Sequence, residues 1–373
     1  MRAAAYSWLV CGGLAKVLVT GATGFIGSHV AHLLVEQGHD VTLGMQEGSS
    51  DAAIADLDCR RLKLEIRDRR SVRRAVQRAE RVFHCAGVTS ARTRDAERLF
   101  EVNVVGTRLV MEECLRADAE RVVYTSSAAV VGPAARGETA DEGQLFTAGR
   151  LGIPYVDSVH EGELEALRVA ARGLPLVCVN PGVCFGPGDH LLSSTRLVRS
   201  FLLGRVPVHV DGAASIVDVR DVATGHLLAA ERGQFGQRYI LSARNFTFDR
   251  LFADLGRLSG VEPPVKLPDG AARVAAELIE ASGRSWPLTL ADVRSAGHWW
   301  TYRSTKARRE LGWGSRPHEE TLEATVAWHL EREHDRIART RGSQQMTRRL
   351  AGAALGAADL AAGLLRRVPI PRP

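Results

Sequence analysis

The chain has 373 residues, of which 45% are hydrophobic and 25% are charged, and its formal net charge is +6. This balance is typical of a globular protein with one large or two ordinary domains. The positive residues are interspersed with carboxylates, which predicts solvated helix faces and excludes a nucleic-acid-binding stripe. No segment has the roughly 18 consecutive apolar residues that a membrane-spanning helix needs.

The first predicted strand, Lys16–Thr20, runs directly into Gly21, Gly24 and Gly27, which have Gly-x-x-Gly-x-x-Gly spacing. The first glycine permits a tight turn, the second lets the backbone approach a pyrophosphate, and the third lets a helix pack closely on the strand. The predicted helix Phe25–Gln37 directs its free N–H groups and the positive end of its dipole at the same place. We interpret this segment as a dinucleotide-binding turn.

The elements that follow alternate between strands and helices. Strands are predicted at Asp40–Leu43, Leu62–Ile66, Arg81–Cys85, Arg121–Ser126 and Leu176–Asn180, and helices at Ser71–Ala79, Ala96–Ala117 and Val156–Arg172. This alternation predicts an α/β fold with a doubly wound parallel Rossmann sheet. After Pro181 the pattern loosens, which predicts a smaller C-terminal α/β substrate domain.

The predicted boundaries divide the chain into four parts. Residues 1–15 form an N-terminal extension, and residues 16–180 form the Rossmann dinucleotide-binding domain, to which residues 215–245 return. Residues 181–335 form the substrate-binding domain, and residues 336–373 form a basic, alanine-rich tail.

Short motifs in a specific order continue from the glycine turn into the substrate domain. They are Val82–Gly87, Asn103–Thr107, Val123–Ala128, Tyr155–Ser158, Asn180–Gly182, Gly186–Asp189, Val217–Ala223, Tyr239–Leu241, Lys306–Ala307 and Glu310–Trp313. With these motifs the sequence resembles the extended short-chain dehydrogenase/reductases, the NAD-dependent epimerase/dehydratase family. It is most similar to their bacterial branch of dihydroflavonol reductases, 3β-hydroxysteroid dehydrogenases and hopanoid-associated epimerases. The resemblance covers roughly residues 16–330.

The resemblance implies that Ser127 hydrogen-bonds a substrate oxygen and that Tyr155 gives or takes a proton while the nicotinamide exchanges a hydride. The family places a lysine four residues after this tyrosine, on the same helix face, where it holds the nicotinamide ribose and stabilises the tyrosinate. Here that position is Val159. His160 is adjacent, but a rotation of about 100° per residue directs it elsewhere. Loss of the cation is expected to slow proton transfer by roughly several-fold to a few hundred-fold.

The resemblance also implies a dinucleotide site built from strand ends and the glycine turn. Its residues are Thr20, Gly21, Thr23, Gly24, Phe25, Ile26, Gly27, Met45, Gln46, Glu65, Ile66, Cys85, Ala86, Gly87, Pro181 and Val183. Met45 stands where an NAD enzyme has a carboxylate, and Gln46 stands where an NADP enzyme has an arginine, so both cofactors stay open. Glu65 is expected beside the adenine; the alternative is an exposed glutamate at a strand end.

The predicted activity is therefore that of an NAD(P)-dependent oxidoreductase, which interconverts a secondary alcohol and a ketone on a hydrophobic or sugar-derived small molecule. Two alternatives remain. One is a sugar-nucleotide epimerase or dehydratase, and the other, which Val159 motivates, is a cofactor-binding pseudoenzyme or sensor. The family also implies a homodimer.

Several other residues are open to structural interpretations. His84 is expected to be a buried structural or cofactor-wall histidine, and Asn103 is expected to tie strand-end loops together. Asp218 and Asp221 are expected to form a charge network that supports the sheet. The aromatic cluster Trp299–Tyr302 is either a wall for an apolar substrate or a packing cluster under the C-terminal helix.

The cysteines and the chain ends bear on location. The six cysteines show no metal-ligand spacing, so no metal site is predicted, and they read as buried thiols in a reducing compartment. Residues 1–15 resemble a signal peptide in charge and apolarity, but we favour a cytoplasmic protein because nicotinamide cofactors are cytoplasmic. The arginine-flanked segment 348–367 suits peripheral contact with the inner membrane face; the alternative is a helix that packs on its own domain.

Overall fold

The computed structural model describes residues 14–90, 93–268 and 295–339. Most of the predicted N-terminal extension and nearly all of the basic tail, including segment 348–367, lie outside the described residues. Among the described residues, no helix has the length and apolarity needed to cross a membrane.

The centre of the molecule is a seven-stranded sheet with the order β10-β6-β5-β4-β1-β2-β3, in which every adjacent pair is parallel. Its strands are β1 (Lys16–Thr20), β2 (Asp40–Met45), β3 (Arg60–Lys63), β4 (Arg81–His84), β5 (Arg121–Thr125), β6 (Leu176–Pro181) and β10 (Arg238–Leu241). This arrangement confirms the predicted doubly wound α/β class.

Helices cover both faces of this sheet. Those of the first half of the chain are α1 (Phe25–Glu36), α2 (Arg69–Val76), α3 (Ala96–Leu99), α4 (Thr107–Arg116) and α5 (Pro154–Ala170). Val17 and Val19 of β1 pack in the core cluster that contains α1, whereas Leu18 packs in the cluster that contains α2, α4 and α5. Since successive strand residues point to opposite faces, an apolar strand buried on both sides explains the continuous Val-Leu-Val run.

The remaining elements all follow β6 in the chain and include the strands of smaller sheets. They are β7 (Val183–Phe185), α6 (Arg196–Leu202), β8 (Val208–His209), β9 (Ala213–Asp218), α7 (Val219–Arg232), β11 (Arg244–Thr247), α8 (Phe248–Ser259), β12 (Val265–Lys266), β13 (Trp299–Trp300), α9 (Thr305–Leu311) and α10 (residues 318–339). Strands β7, β11 and β13 all pair with β9, and β8 pairs with β12. Helix α7 packs against α1, and β10 joins the main sheet beside β6. The predicted domain boundaries themselves stay predictions.

Two elements differ from their sequence-based expectation. The third strand ends at Lys63, so Glu65 and Ile66 lie in the turn before α2 and not in a strand. The helix expected over Ala96–Ala117 contains a π-helical segment, Phe100–Gly106, which lies against α5. A Cβ atom on Gly162 of α5 would lie 2.3 Å from the Asn103 carbonyl oxygen, so only glycine permits this close approach.

Candidate active site

The order of the sheet reverses between β1 and β4, and the chain turns sharply at the carboxyl end of both strands. Gly21 has a φ of +66°, and a Cβ atom there would lie 2.6 Å from the Ala86 Cα atom. A Cβ atom on Gly27 would lie 2.2 Å from the Gly21 carbonyl oxygen. Both positions therefore require glycine, and the turn opens at the crevice where doubly wound sheets bind their ligands.

The turn ends at Gly24, which is the N-cap of α1 and supplies no side-chain hydrogen bond to the helix. A Cβ atom on Gly24 would meet only the Gly21 carbonyl oxygen, at 3.1 Å, and otherwise open space. The first N–H groups of this 12-residue helix are thus free for an anion, and the helix dipole favours one. These residues fit the pyrophosphate of a dinucleotide.

The residues expected on the adenosine side lie at the ends of β2 and β3. Met45 packs against the core, and Gln46 contacts the carboxylate of Glu65. That carboxylate accepts hydrogen bonds from Arg67 at 3.0 Å and 3.1 Å, and these bonds lower the pKa of Glu65. Ile66 is buried next to Gly106. Glu65 is thus already paired with Arg67, and it lies beside Gln46, the position at which an NADP enzyme has an arginine.

His84 connects the glycine turn to α4 and is fully buried. Its Nδ1 atom lies 2.7 Å from the Thr20 hydroxyl and its Nε2 atom 3.3 Å from the Thr107 hydroxyl. Burial lowers the pKa of His84 to about 3, so the ring is neutral at physiological pH. The Ala86 N–H donates to the same Thr20 hydroxyl at 3.3 Å. His84 therefore holds the turn in place and is no base.

Ser127 and Tyr155 come together at the carboxyl end of β5. The Ser127 oxygen accepts the Ala129 N–H at 3.2 Å, and the Ser127 hydroxyl lies near enough to the Tyr155 phenol to influence its pKa. Tyr155 lies in the first turn of α5, which begins at Pro154, a residue well suited to the first helical position. Burial raises the pKa of Tyr155, and the neighbouring Ser127 hydroxyl opposes this rise in part.

Val159, one turn after Tyr155, is 7% exposed and belongs to an apolar cluster. The cluster surrounds the tyrosine with Val156, Trp300 and other apolar side chains. His160 turns away, since its Nδ1 atom lies 3.2 Å from the Val130 carbonyl oxygen and its ring stacks on Phe146. Among the described residues, no cation contributes to the pKa of Tyr155. Nothing in this part of the chain replaces the lysine.

A buried polar network, which the sequence did not predict, contacts the backbone of Ser127. The Asn180 amide donates to the Ser127 carbonyl oxygen at 3.2 Å and to the Glu163 carboxylate at 2.5 Å. Arg238 of β10 pairs with the other Glu163 oxygen at 3.0 Å. Glu163 lies about two turns after Tyr155 on the same helix. This spacing in the sequence could have predicted that both side chains lie on one helix face.

Asn103 of the π-helical segment links the loop after β4 to α5. Its side chain accepts the Val88 N–H at 2.9 Å and donates to the Val88 carbonyl at 3.0 Å. It also donates to the Ser158 hydroxyl at 3.0 Å, and that hydroxyl donates to the Tyr155 carbonyl oxygen at 2.9 Å. The expectation that Asn103 ties strand-end loops together matches these contacts.

The elements after β6 contribute a charge network and aromatic side chains. Asp218 caps α7 and accepts from Arg220, whereas Asp221 accepts from Arg316 at 2.8 Å and 3.0 Å. Arg316 was not anticipated. The aromatic cluster divides: Trp300 and Tyr302 are buried in the apolar cluster at Tyr155, and Trp299 lies under the Arg136 guanidinium.

Buried polar atoms without a protein partner concentrate near this pair. In the described part of the chain they are Ser126 Oγ, Asn180 Oδ1, the Tyr302 hydroxyl and His329 Nε2. The first two flank Ser127 at the ends of β5 and β6, and Tyr302 shares the apolar cluster with Tyr155. Since buried polar atoms are normally hydrogen-bonded, this concentration indicates a site that receives polar ligand atoms.

The chain is similar along most of its length to several known proteins. The chain is 33% identical over 323 residues to sterol demethylase protein B of Methylococcus capsulatus, covering 84% of this chain and 98% of that protein. It is 28% identical over 326 residues to 4-hydroxy-2-methyl-3-oxo-4-farnesyl-3,4-dihydroquinoline-1-oxide ketoreductase of Stigmatella aurantiaca, covering 83% and 95%. The crystal structure of gox2253 is similar with a TM-score of 0.76 and 32% identity, covering 87% and 99%.

The family model described as "NAD dependent epimerase/dehydratase family" matches residues 17–241. This match confirms the predicted extended short-chain dehydrogenase/reductase relationship, and it confirms a nicotinamide dinucleotide as the cofactor. The chain belongs to the NAD dependent epimerase/dehydratase family.

Proposed function

We propose that the protein is an NAD(P)-dependent oxidoreductase that interconverts a secondary alcohol and a ketone, with proton transfer slowed by Val159. The observation that carries this proposal is the juxtaposition of Ser127 and Tyr155 at the same sheet edge as the glycine turn. When bound there, the nicotinamide ring supplies a hydride to the substrate carbon or removes one from it.

The protein's own groups handle the oxygen. In the reductive direction Ser127 donates a hydrogen bond to the carbonyl oxygen, and Tyr155 transfers its phenolic proton to that oxygen. The raised pKa of Tyr155 keeps the phenol protonated at neutral pH, which suits this direction. In the oxidative direction the tyrosinate has to accept the proton, and no described cation stabilises it.

The surroundings of Tyr155 support an apolar substrate. Val131, Ile153, Ile240 and Trp300 belong to the cluster on which this tyrosine packs. A sugar nucleotide carries hydroxyl and phosphate groups that need polar partners, whereas a fused-ring or prenylated ketone does not. Two relatives are named for a sterol and for a farnesyl-bearing dihydroquinoline oxide, and these names point the same way.

The test is turnover of a panel of ketones and secondary alcohols, including steroids and simple sugars, with NAD(H) and NADP(H) compared. We expect stoichiometric formation or consumption of NAD(P)H with apolar members of the panel. Tyr155→Phe should abolish turnover and keep dinucleotide binding. Conversion without net NAD(P)H formation would identify an epimerase or dehydratase. Tight dinucleotide binding with no turnover across the panel would identify a cofactor-binding pseudoenzyme or sensor, which Val159 keeps as the second candidate.

A further inference from the structure

The Tyr302 side chain has an unusual position for a hydroxyl group. It is 4% exposed, and its oxygen has no hydrogen-bond partner among the described residues. The backbone around it is fixed, because the Tyr302 N–H donates to Asn245 at 3.1 Å and the Asn245 amide donates back to the Tyr302 carbonyl at 3.0 Å. The ring is therefore held in place while its hydroxyl stays unused.

Tyr302 also lies beside the reaction site. It belongs to the apolar cluster that contains Val159 and on which Tyr155 packs. Burial raises the pKa of Tyr302, and the neighbouring Tyr155 of the same cluster raises it further. At neutral pH Tyr302 is consequently a neutral hydrogen-bond donor.

We propose that Tyr302 is a further substrate-binding residue, whose hydroxyl donates a hydrogen bond to the substrate oxygen that Tyr155 protonates. This inference rests on the proposed function. Three observations carry it: the unpartnered hydroxyl, the position of Tyr302 in the apolar cluster on which Tyr155 packs, and the apolar residue at position 159.

The physical reason is the missing cation. As hydride reaches a carbonyl carbon, negative charge develops on the oxygen, and preorganised donors in a water-poor site stabilise such charge effectively. With Val159 apolar, the described side chains available for this task are neutral hydroxyls. Tyr302 adds a third donor to those of Ser127 and Tyr155.

The first test is Tyr302→Phe, which removes one oxygen and keeps the ring. We expect kcat for ketone reduction to fall by about 100-fold, the effect typical of losing one oxyanion donor, with KM changed by a few-fold at most. Dinucleotide affinity and Tm should stay unchanged. The matched control is Tyr239→Phe, since the Tyr239 hydroxyl bonds Glu310 on the opposite side of the sheet. An unchanged kcat for Tyr302→Phe would overturn the proposal.

The second test does not need turnover. Tyrosines labelled with ¹³C at the ζ carbon are followed by NMR while acetophenone and other ketones of the panel are added to the protein saturated with oxidised dinucleotide. Assignment is direct because the chain has five tyrosines. A ketone that binds is expected to shift the signals of both Tyr155 and Tyr302.

The outcomes separate the two proposals. A ketone that shifts the Tyr155 signal and leaves Tyr302 unchanged refutes the role of Tyr302 and leaves the oxidoreductase proposal intact. Shifts of both signals without any turnover refute the oxidoreductase proposal and leave the contact standing. If no ketone moves either signal, both proposals fail.

Discussion

Restoring a lysine at position 159 is the sharpest perturbation of this site. Val159 lies one helical turn after Tyr155, with its side chain in the apolar cluster that contacts the tyrosine. A lysine at this position lays its methylene stem along that cluster and carries its ammonium group toward the phenol. The substitution adds a charge where the described residues supply none.

The magnitude follows from Coulomb's law. A cation about 5 Å from a tyrosinate is worth about 3 kcal/mol at an effective dielectric of 20, and under about 1 kcal/mol in water. The larger value corresponds to a fall of about 2 in the pKa of Tyr155. Because burial now raises this pKa, Val159→Lys should lower it toward or below its ordinary value and speed oxidation by roughly ten-fold to a few hundred-fold. Contacts with the nicotinamide ribose should tighten cofactor binding.

The assay is the pH dependence of kcat for alcohol oxidation, combined with calorimetric titration of the dinucleotide. Val159→Met is the matched control, because it has similar length without charge. The rising limb of the profile, which the pKa of Tyr155 sets, should move to lower pH in the lysine variant and stay in place in the methionine variant. A folded lysine variant whose pH profile and dinucleotide affinity equal those of the methionine variant refutes this reasoning and shows that the site works by another proton arrangement.

Three further predictions concern the glycine turn, the pKa of Tyr155 and the buried Glu113 of α4. Gly24→Val should abolish dinucleotide binding in calorimetry with Tm largely kept, whereas Gly314→Val, where a Cβ atom meets nothing within 4 Å, should change neither. Retained affinity in the first variant would contradict the interpretation of the glycine turn as a dinucleotide-binding turn. Because burial raises the pKa of Tyr155 above its usual value of about 10, wild-type oxidation should keep rising with pH beyond that value, and a plateau near neutral pH would be inconsistent with the buried phenol. Glu113 is 1% exposed and pairs with three arginines, so Glu113→Ala should lower the free energy of unfolding by about 2 kcal/mol, a figure reduced because the arginines regain water. Glu112→Ala, a more exposed neighbour, should cost less in the same urea titration.

The sequence predicted those parts of the site that depend on local backbone geometry. Gly21 and Gly27 are required by contacts within one strand-turn-helix unit, so their spacing identifies the turn without knowledge of the rest. The same holds for Tyr155 and Val159, because helical periodicity alone places them on one face. The alternation of apolar strands and helices likewise defined the sheet class.

The edges of elements were less predictable, since tertiary contacts decide them. Glu65 and Ile66 read as a strand end, but the edge strand stops at Lys63. The π-helical segment Phe100–Gly106 lies where Gly162 lets the Asn103 backbone approach closely. No periodicity within residues 96–117 predicts it.

By itself, then, the sequence determined the fold class, the glycine turn and the absence of a lysine after Tyr155, because each of these follows from neighbours along the chain. Only the tertiary structure decided what surrounds that tyrosine. Folding brings the apolar cluster, the Asn180–Glu163–Arg238 network and the Tyr302 hydroxyl to one sheet edge from distant segments. Whether the surroundings of a side chain are charged, solvated or apolar depends on such packing, which local sequence does not encode.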